Sequence, residues 1–329
     1  MKRISAVVLC LLIFTPVPSW AQEKDPNYVT EPAVGSSTAP QGGYFVIETT
    51  PGSKVTQNVA LRNDDAKPLT LELAGVDAIT GHLGGASYNL STEPRKVVGA
   101  WITFGRPSVT LAPGESALAP FDVNVPADAT PGEHLGGISI SLVGNSASPT
   151  PGKSTGTGAS IALKTRRIIA VQVNTPGDAT PKLTITGVQP AARPDGLYLE
   201  VSITHEGRGL TKGKGSIEVS GGFQKSFDLD TFVPATSIRY PIKWRTDAPS
   251  GKFTVHVEIT YDTRVAVWDG TFSVGEEVKK QLKDRQPPPP KPPTPVWIPA
   301  VGGGLAGLMI PLVIWLAIAR GRRKRRSVS

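Results

Sequence analysis

The chain has 329 residues, 39% of them hydrophobic, and 35 Lys and Arg against 27 Asp and Glu give it a formal net charge of +8. Six of those charges lie in the last ten residues and two at Lys2 and Arg3, so the stretch between is neutral and the basic balance gives no footprint for nucleic acid. The single cysteine, Cys10, sits in the first apolar run, which excludes disulfides, thiol catalysis and Cys-based metal sites from the remainder.

Residues 1–21 read as a secretory signal: Lys2 and Arg3, an apolar run from Ile4 to Phe14, then the small residues Ser19 and Ala21 in cleavage position. Residues 22–41 form a polar, flexible lead. From there the pattern is of short β runs parted by Gly, Pro, Asn and Asp, with no helical period. Strands are expected at 44–49, 54–62, 69–76, 101–104, 108–111, 117–125, 134–142 and 161–173. Runs such as "VTQNVALRN" and "FDVNVP" alternate apolar with polar side chains and so have one buried and one wet face. Eight such runs over residues 42–175 make one β-sandwich.

Seven more runs, at 182–188, 197–204, 215–219, 224–229, 237–244, 253–261 and 265–274, make a second sandwich over 176–276. Its "IKWRTDAPSGKFTVHVEIT" aligns with "FDVNVPADATPGEHLGGISIS" of the first when one residue is deleted; both read strand, Asp-Ala, Pro/Gly turn, strand. The expected fold is therefore all-β, two tandem immunoglobulin-like sandwiches. Residues 277–295 are charged and then proline-rich, ending in "PPPPKPPTP". That spacer extends at about 3 Å per residue. Residues 296–319 are apolar throughout, and about 20 such residues span a bilayer core as one helix. The basic tail 320–329 then stays in the cytoplasm by the positive-inside rule, leaving the N-terminal region outside a single-pass membrane anchor.

Catalytic signatures are weak. The four histidines, His82, His134, His205 and His256, form no close ligand pair, so no metal site is expected. "GKSTG" formally matches a nucleophile elbow but sits in the low-complexity run "GNSASPTPGKSTGTGAS", without the strand-to-helix turn the elbow needs. Acidic residues are spread through turns such as "RNDDAKP" and strand ends such as "FDLDTF", and no pair stands out as a general acid and base.

Binding chemistry is better represented. Tyr88, Trp101, Trp244, Tyr261 and Trp268 could stack on sugar rings, although a sandwich tryptophan serves more often in the core. Arg166 and Arg167 could grip an anionic polymer, but adjacent strand residues point to opposite faces. "TPGEHLGGISI" displays His134 at a strand start, where its counterpart in the alignment is Phe253, and that favours packing. Gly136 and Gly137 either relieve a bulge or admit a close neighbour. The candidate ligand surface is Trp101, His134, Arg166 and Arg167, with no catalytic residue, cofactor or metal.

The stretches "YFVIETTPGSKVTQNVALRNDDAKPLTLELAGVDAIT", "WITFGRPSVTLAPGESALAPFDVNVPADATPGEHLGGISI" and "SIALKTRRIIAVQVN" together resemble, in order and spacing, the peptidoglycan-binding domain of the WxL-interacting proteins of Gram-positive bacteria. The layout of signal, two β domains, membrane helix and basic tail is similar too. The resemblance implies a non-enzymatic, membrane-anchored envelope protein. Its first domain would contact peptidoglycan or another wall glycan, and its partner would be an exported WxL-type protein. A surface adhesin or assembly scaffold with only a protein ligand is the alternative, and an exported hydrolase the third reading.

Overall fold

The computed structural model describes residues 27–33, 43–143 and 166–286. The expected signal, the "GKSTG" loop, the polyproline spacer, the apolar segment 296–319 and the basic tail lie outside the described residues. Among the described residues, no helix is long and apolar enough to cross a membrane.

The first half of the chain folds into two sheets around one core. One sheet has four strands: β1 (Tyr28–Pro32), β3 (Lys54–Asn63), β8 (Ser116–Asn124) and β6 (Ile102–Phe104), in the order β1-β3-β8-β6. The facing sheet runs β2 (Phe45–Glu48), β10 (Arg166–Thr175), β9 (Gly132–Leu142), β4 (Leu69–Thr80), β5 (Ala86–Tyr88), with β7 (Ser108–Leu111) also on β4. Its β2–β10 pair is parallel; the pairs around it are antiparallel. Alternation decides which side chains go inward: Val59 and Leu61 from β3 and Phe121 and Val123 from β8 meet Phe45, Ile47, Leu71, Leu73, Ile138 and Ile140 from the other sheet. Phe45 and Phe121 pack edge to face at 5.1 Å. Each such buried side chain stabilises the fold by about 1.5–3 kcal/mol relative to exposure.

The second half repeats the plan. A three-stranded sheet, β11 (Leu183–Arg193), β12 (Gly196–His205) and β15 (Ser237–Arg245), faces a four-stranded one. The latter runs β14 (Phe223–Phe232), β13 (Thr211–Val219), β16 (Gly251–Tyr261), β17 (Arg264–Val274). A second, separate core lies between them. Trp244 is buried there, packed edge to face on Phe253 at 5.0 Å and Phe272 at 5.2 Å.

Four segments differ from expectation. Part of the N-terminal lead is not loose: β1 pairs with β3 from Tyr28↔Asn63 to Pro32↔Val59, and Tyr28 is buried in the first core. A strand was expected to begin at Trp101, but Val98–Trp101 is the short helix α1 and the strand begins at Ile102. The three-residue β5 was not anticipated. The charged stretch after Gly275 does not run straight into the spacer. It forms α2 (Glu276–Arg285), with Leu282 buried, Val278 against the second core, and Arg285 Nη1 donating to the Ala192 carbonyl at 2.6 Å. Glu276 and Glu277 in its first turn and Lys283 and Arg285 in its last suit the helix dipole.

Candidate functional site: a cleft between the two sandwiches

The two sandwiches meet through specific contacts. Glu133 at the start of β9 donates its N–H to the Arg208 carbonyl at 2.8 Å, and its carboxylate accepts the Leu210 N–H at 2.6 Å. At the far end of β4, the Thr80 hydroxyl accepts the Val233 N–H at 2.9 Å and pairs with the Thr236 hydroxyl at 2.6 Å. Ala78, Leu135 and Val233 form a small buried cluster at the junction, flanked by Tyr88 and Leu210. Gly132 lets the chains approach: its φ is +121°, and a Cβ there would fall 2.5 Å from the Arg208 carbonyl oxygen.

Beside this junction opens a cleft of about 710 Å³. The first sandwich contributes Ile79, Lys96, Val97, Trp101, Glu133 and His134, and the second contributes Glu206, Arg208 and the turn Val233–Thr236. Its wall on the first side is α1 and the turn before it, and that turn is organised by one carboxylate. Asp77 lies on the inward phase of β4, two residues beyond Gly75 and on the face of Leu71 and Leu73. It is only 6% exposed. Its oxygens accept the backbone N–H groups of Lys96, of Val97 at 3.1 Å and of Gly99 at 2.8 Å. A buried carboxylate fully engaged by N–H donors is tolerable where a lone one is not. The arrangement closes the first turn of a helix too short to stabilise itself.

Of the residues singled out from sequence, Trp101 and His134 come together and Arg166 and Arg167 do not join them. Trp101 is 8% exposed, part of the first core, and its ring meets that of His134 at 5.0 Å and 60°. His134 Nε2 donates to the Thr130 carbonyl at 2.8 Å, an oxygen that also accepts from the Thr175 hydroxyl at 2.8 Å. The pair is thus packed and hydrogen-bonded while lining one end of the cleft. Arg166 donates to the carbonyls of Tyr88 and Asn89 and so fixes β5 onto the sheet. Arg167 points the other way, its guanidinium 4.3 Å from the centre of the Tyr28 ring, where it holds β1. Gly136 and Gly137 lie in an unbroken register, without a bulge. They admit close neighbours: a Cβ would fall 2.7 Å from Val98 Cβ at Gly136 and 3.0 Å from the Tyr88 ring at Gly137.

The second-domain side of the cleft is held by a histidine that sequence left without a role. His205 is fully buried. Its Nδ1 accepts the Gly207 N–H at 3.0 Å and its Nε2 donates to the Gly209 carbonyl at 2.8 Å, a neutral tautomer that shapes the Glu206–Gly209 turn bearing Arg208. Burial pushes its pKa below the ordinary histidine value, against the opposing effect of the Gly209 hydrogen bond. Among the described residues, no group of His, Asp and Glu is arranged to hold a metal ion.

Fold and cleft together define a two-sandwich protein with a concave, mostly apolar junction edged by charge. A family model described as "WxL Interacting Protein, peptidoglycan binding domain" matches residues 29–141, from β1 through most of β9, and the first sandwich belongs to that domain family. No curated protein matches the chain. Among solved structures, the Class 5 fimbriae chaperone CfaA is similar at 9% identity and a TM-score of 0.35, with 74% of this chain and 98% of that one covered. The E. coli chaperone DraB is similar at 13% identity and a TM-score of 0.32, with 74% and 96% covered. The Pseudomonas aeruginosa CupB2 chaperone is similar at 11% identity and a TM-score of 0.33, with 71% and 99% covered.

Proposed function

We propose that this protein is a non-enzymatic component of the cell envelope that binds peptidoglycan through its first sandwich, and that the cleft beside Trp101 and His134 is where the ligand lies. The observation that carries this reading is the family match over residues 29–141, which ends in the strand whose first residues line the cleft. A binding role also suits a site in which the buried Asp77 and His205 are held by backbone partners and the half-buried His134 gives its Nε2 to the Thr130 carbonyl. The apolar segment 296–319 would anchor the protein in the membrane with both sandwiches outside, and the second sandwich would be free to hold an exported partner. Purified cell-wall sacculi should retain the full chain, and retention no greater than that of an unrelated β-sandwich protein overturns the reading. Digesting the wall should leave the protein with the membrane fraction; its release with wall fragments contradicts the anchor.

A further inference from the structure

Peptidoglycan offers two chemistries to a protein, and the cleft suits one of them better; this inference rests on the function proposed above. Its glycan is a run of neutral, N-acetylated sugar rings, usually gripped by an open aromatic face. Its stem peptide is short, rich in methyl groups and terminated by free carboxylates. The aromatic rings lining the cleft are Trp101 and His134, and they spend their contact on each other and on the core.

The cleft presents two cations instead. Lys96 from the first sandwich and Arg208 from the second are both exposed, and neither makes a salt bridge among the described residues, although Arg208 lies near enough to Asp178 to favour that carboxylate's charged form. The acidic groups alongside keep their negative charge, so the cleft is of mixed sign, but each already holds a hydrogen-bond or ion-pair partner. Glu206 is paired with Lys182 at 2.8 Å, the Glu133 carboxylate takes the Leu210 N–H, and Glu93 takes the Leu90 N–H at 3.2 Å. The same cleft has apolar side chains open to a ligand, with Ile79 and Val97 respectively 39% and 37% exposed. The backbones bearing the cations are fixed. Lys96 N–H is held by Asp77, while Arg208 donates to the Thr180 carbonyl at 3.0 Å and accepts from Glu133 N–H.

We infer that the cleft takes the stem peptide of the wall, with Lys96 and Arg208 on its carboxylates and Ile79 and Val97 against its methyl groups. Both sandwiches then contribute to one site, which gives the fixed angle between them a purpose.

The test is calorimetric titration of the detergent-solubilised full chain with a synthetic stem pentapeptide bearing a free C-terminal carboxylate, and in parallel with an N-acetylglucosamine tetramer. The peptide should bind saturably and the tetramer should not. Lys96→Gln and Arg208→Gln should each weaken the peptide about tenfold, about 1.4 kcal/mol, with an unchanged thermal midpoint because both side chains are exposed. Added salt should shrink that difference. Binding of the tetramer without the peptide, or peptide binding indifferent to both substitutions, overturns the inference. If the chain is retained by sacculi but ignores the peptide, the inference fails while the wall reading stands. If it binds the peptide but not sacculi, the wall reading fails and the peptide site stands.

Discussion

The Asp77 carboxylate and the Gly99 backbone are pressed together at the end of the first sandwich: Oδ1 accepts the Gly99 N–H at 2.8 Å, and a Cβ on Gly99 would fall 2.6 Å from the Asp77 nitrogen. One strand residue thereby sets the position of α1, and α1 sets the position of Trp101 and of the Lys96 and Val97 wall.

Replacing Asp77 therefore has a local cause and a large effect. Asp77→Ala leaves three buried or half-buried N–H groups without their acceptor, and each such loss costs about 1–3 kcal/mol. A total near 3 kcal/mol or more is expected in urea unfolding, with Asp77→Asn in between. Glu72→Ala, at an exposed position of the same strand, should stay within about 0.5 kcal/mol.

Asn63 plays a comparable part in the hairpin between β3 and β4. It is fully buried, donates to the carbonyls of Lys67, Leu111 and Ala112, and accepts the Asp65 N–H at 2.8 Å. Asn63→Ala should cost about 2–4 kcal/mol by the same accounting of unpaired groups. Lys67→Ala, exposed in the same turn, should leave the urea midpoint nearly unmoved.

The angle between the sandwiches depends on Gly132. Alanine there meets both an unfavourable φ and the Arg208 carbonyl, so the Gly132→Ala protein should lose about 2 kcal/mol or more. Its two halves should also separate, seen as a larger radius of gyration by small-angle scattering and faster proteolysis in the 176–182 connection. An unchanged scattering profile would show that the junction tolerates what the geometry forbids.

How much of this could be read from the sequence depended on whether a residue's role was periodic or singular. Strands such as β3, β8, β12 and β16 announced themselves because alternation is enforced by the core over many residues. β1 did not, because "YVTEP" is short, ends in proline and takes its register from β3. α2 carried a readable signal, Val278 and Leu282 one turn apart with acidic and basic ends, which the surrounding charge masked. Asp77 and Asn63 were readable in principle, as polar residues on the apolar phase of their strands, a position that requires buried partners. Lys96 and Arg208 had no such mark: they line one cleft only because two domains fold against each other, and no local pattern encodes that. Arg166 and Arg167 point to opposite faces, as adjacent strand residues must, one to the carbonyls of Tyr88 and Asn89 and the other to the ring of Tyr28.

His205 makes stability pH-dependent. Its folded pKa lies below the ordinary value, so the unfolded chain binds the proton more readily. Stability is whole above the unfolded pKa near 6.5 and declines as pH falls from there toward the folded value. His256, exposed and paired with Asp269 at 2.7 Å, has its pKa raised chiefly by that hydrogen bond. Its small contribution is present below pH 6.5 and lost as pH rises through the folded value. Urea midpoints between pH 7.5 and 5 should fall for the wild type. His205→Asn should show a shallower slope, and Asp269→Asn a slightly steeper one.

The measurement that bears most directly on the central claim is a binding isotherm of the full chain on purified sacculi before and after anionic wall polymers are stripped by mild acid. Saturable retention that survives stripping, and exceeds that of an unrelated β-sandwich protein, is the result expected of a first domain that binds peptidoglycan itself. Retention that vanishes with the anionic polymers, or never rises above the control, contradicts it.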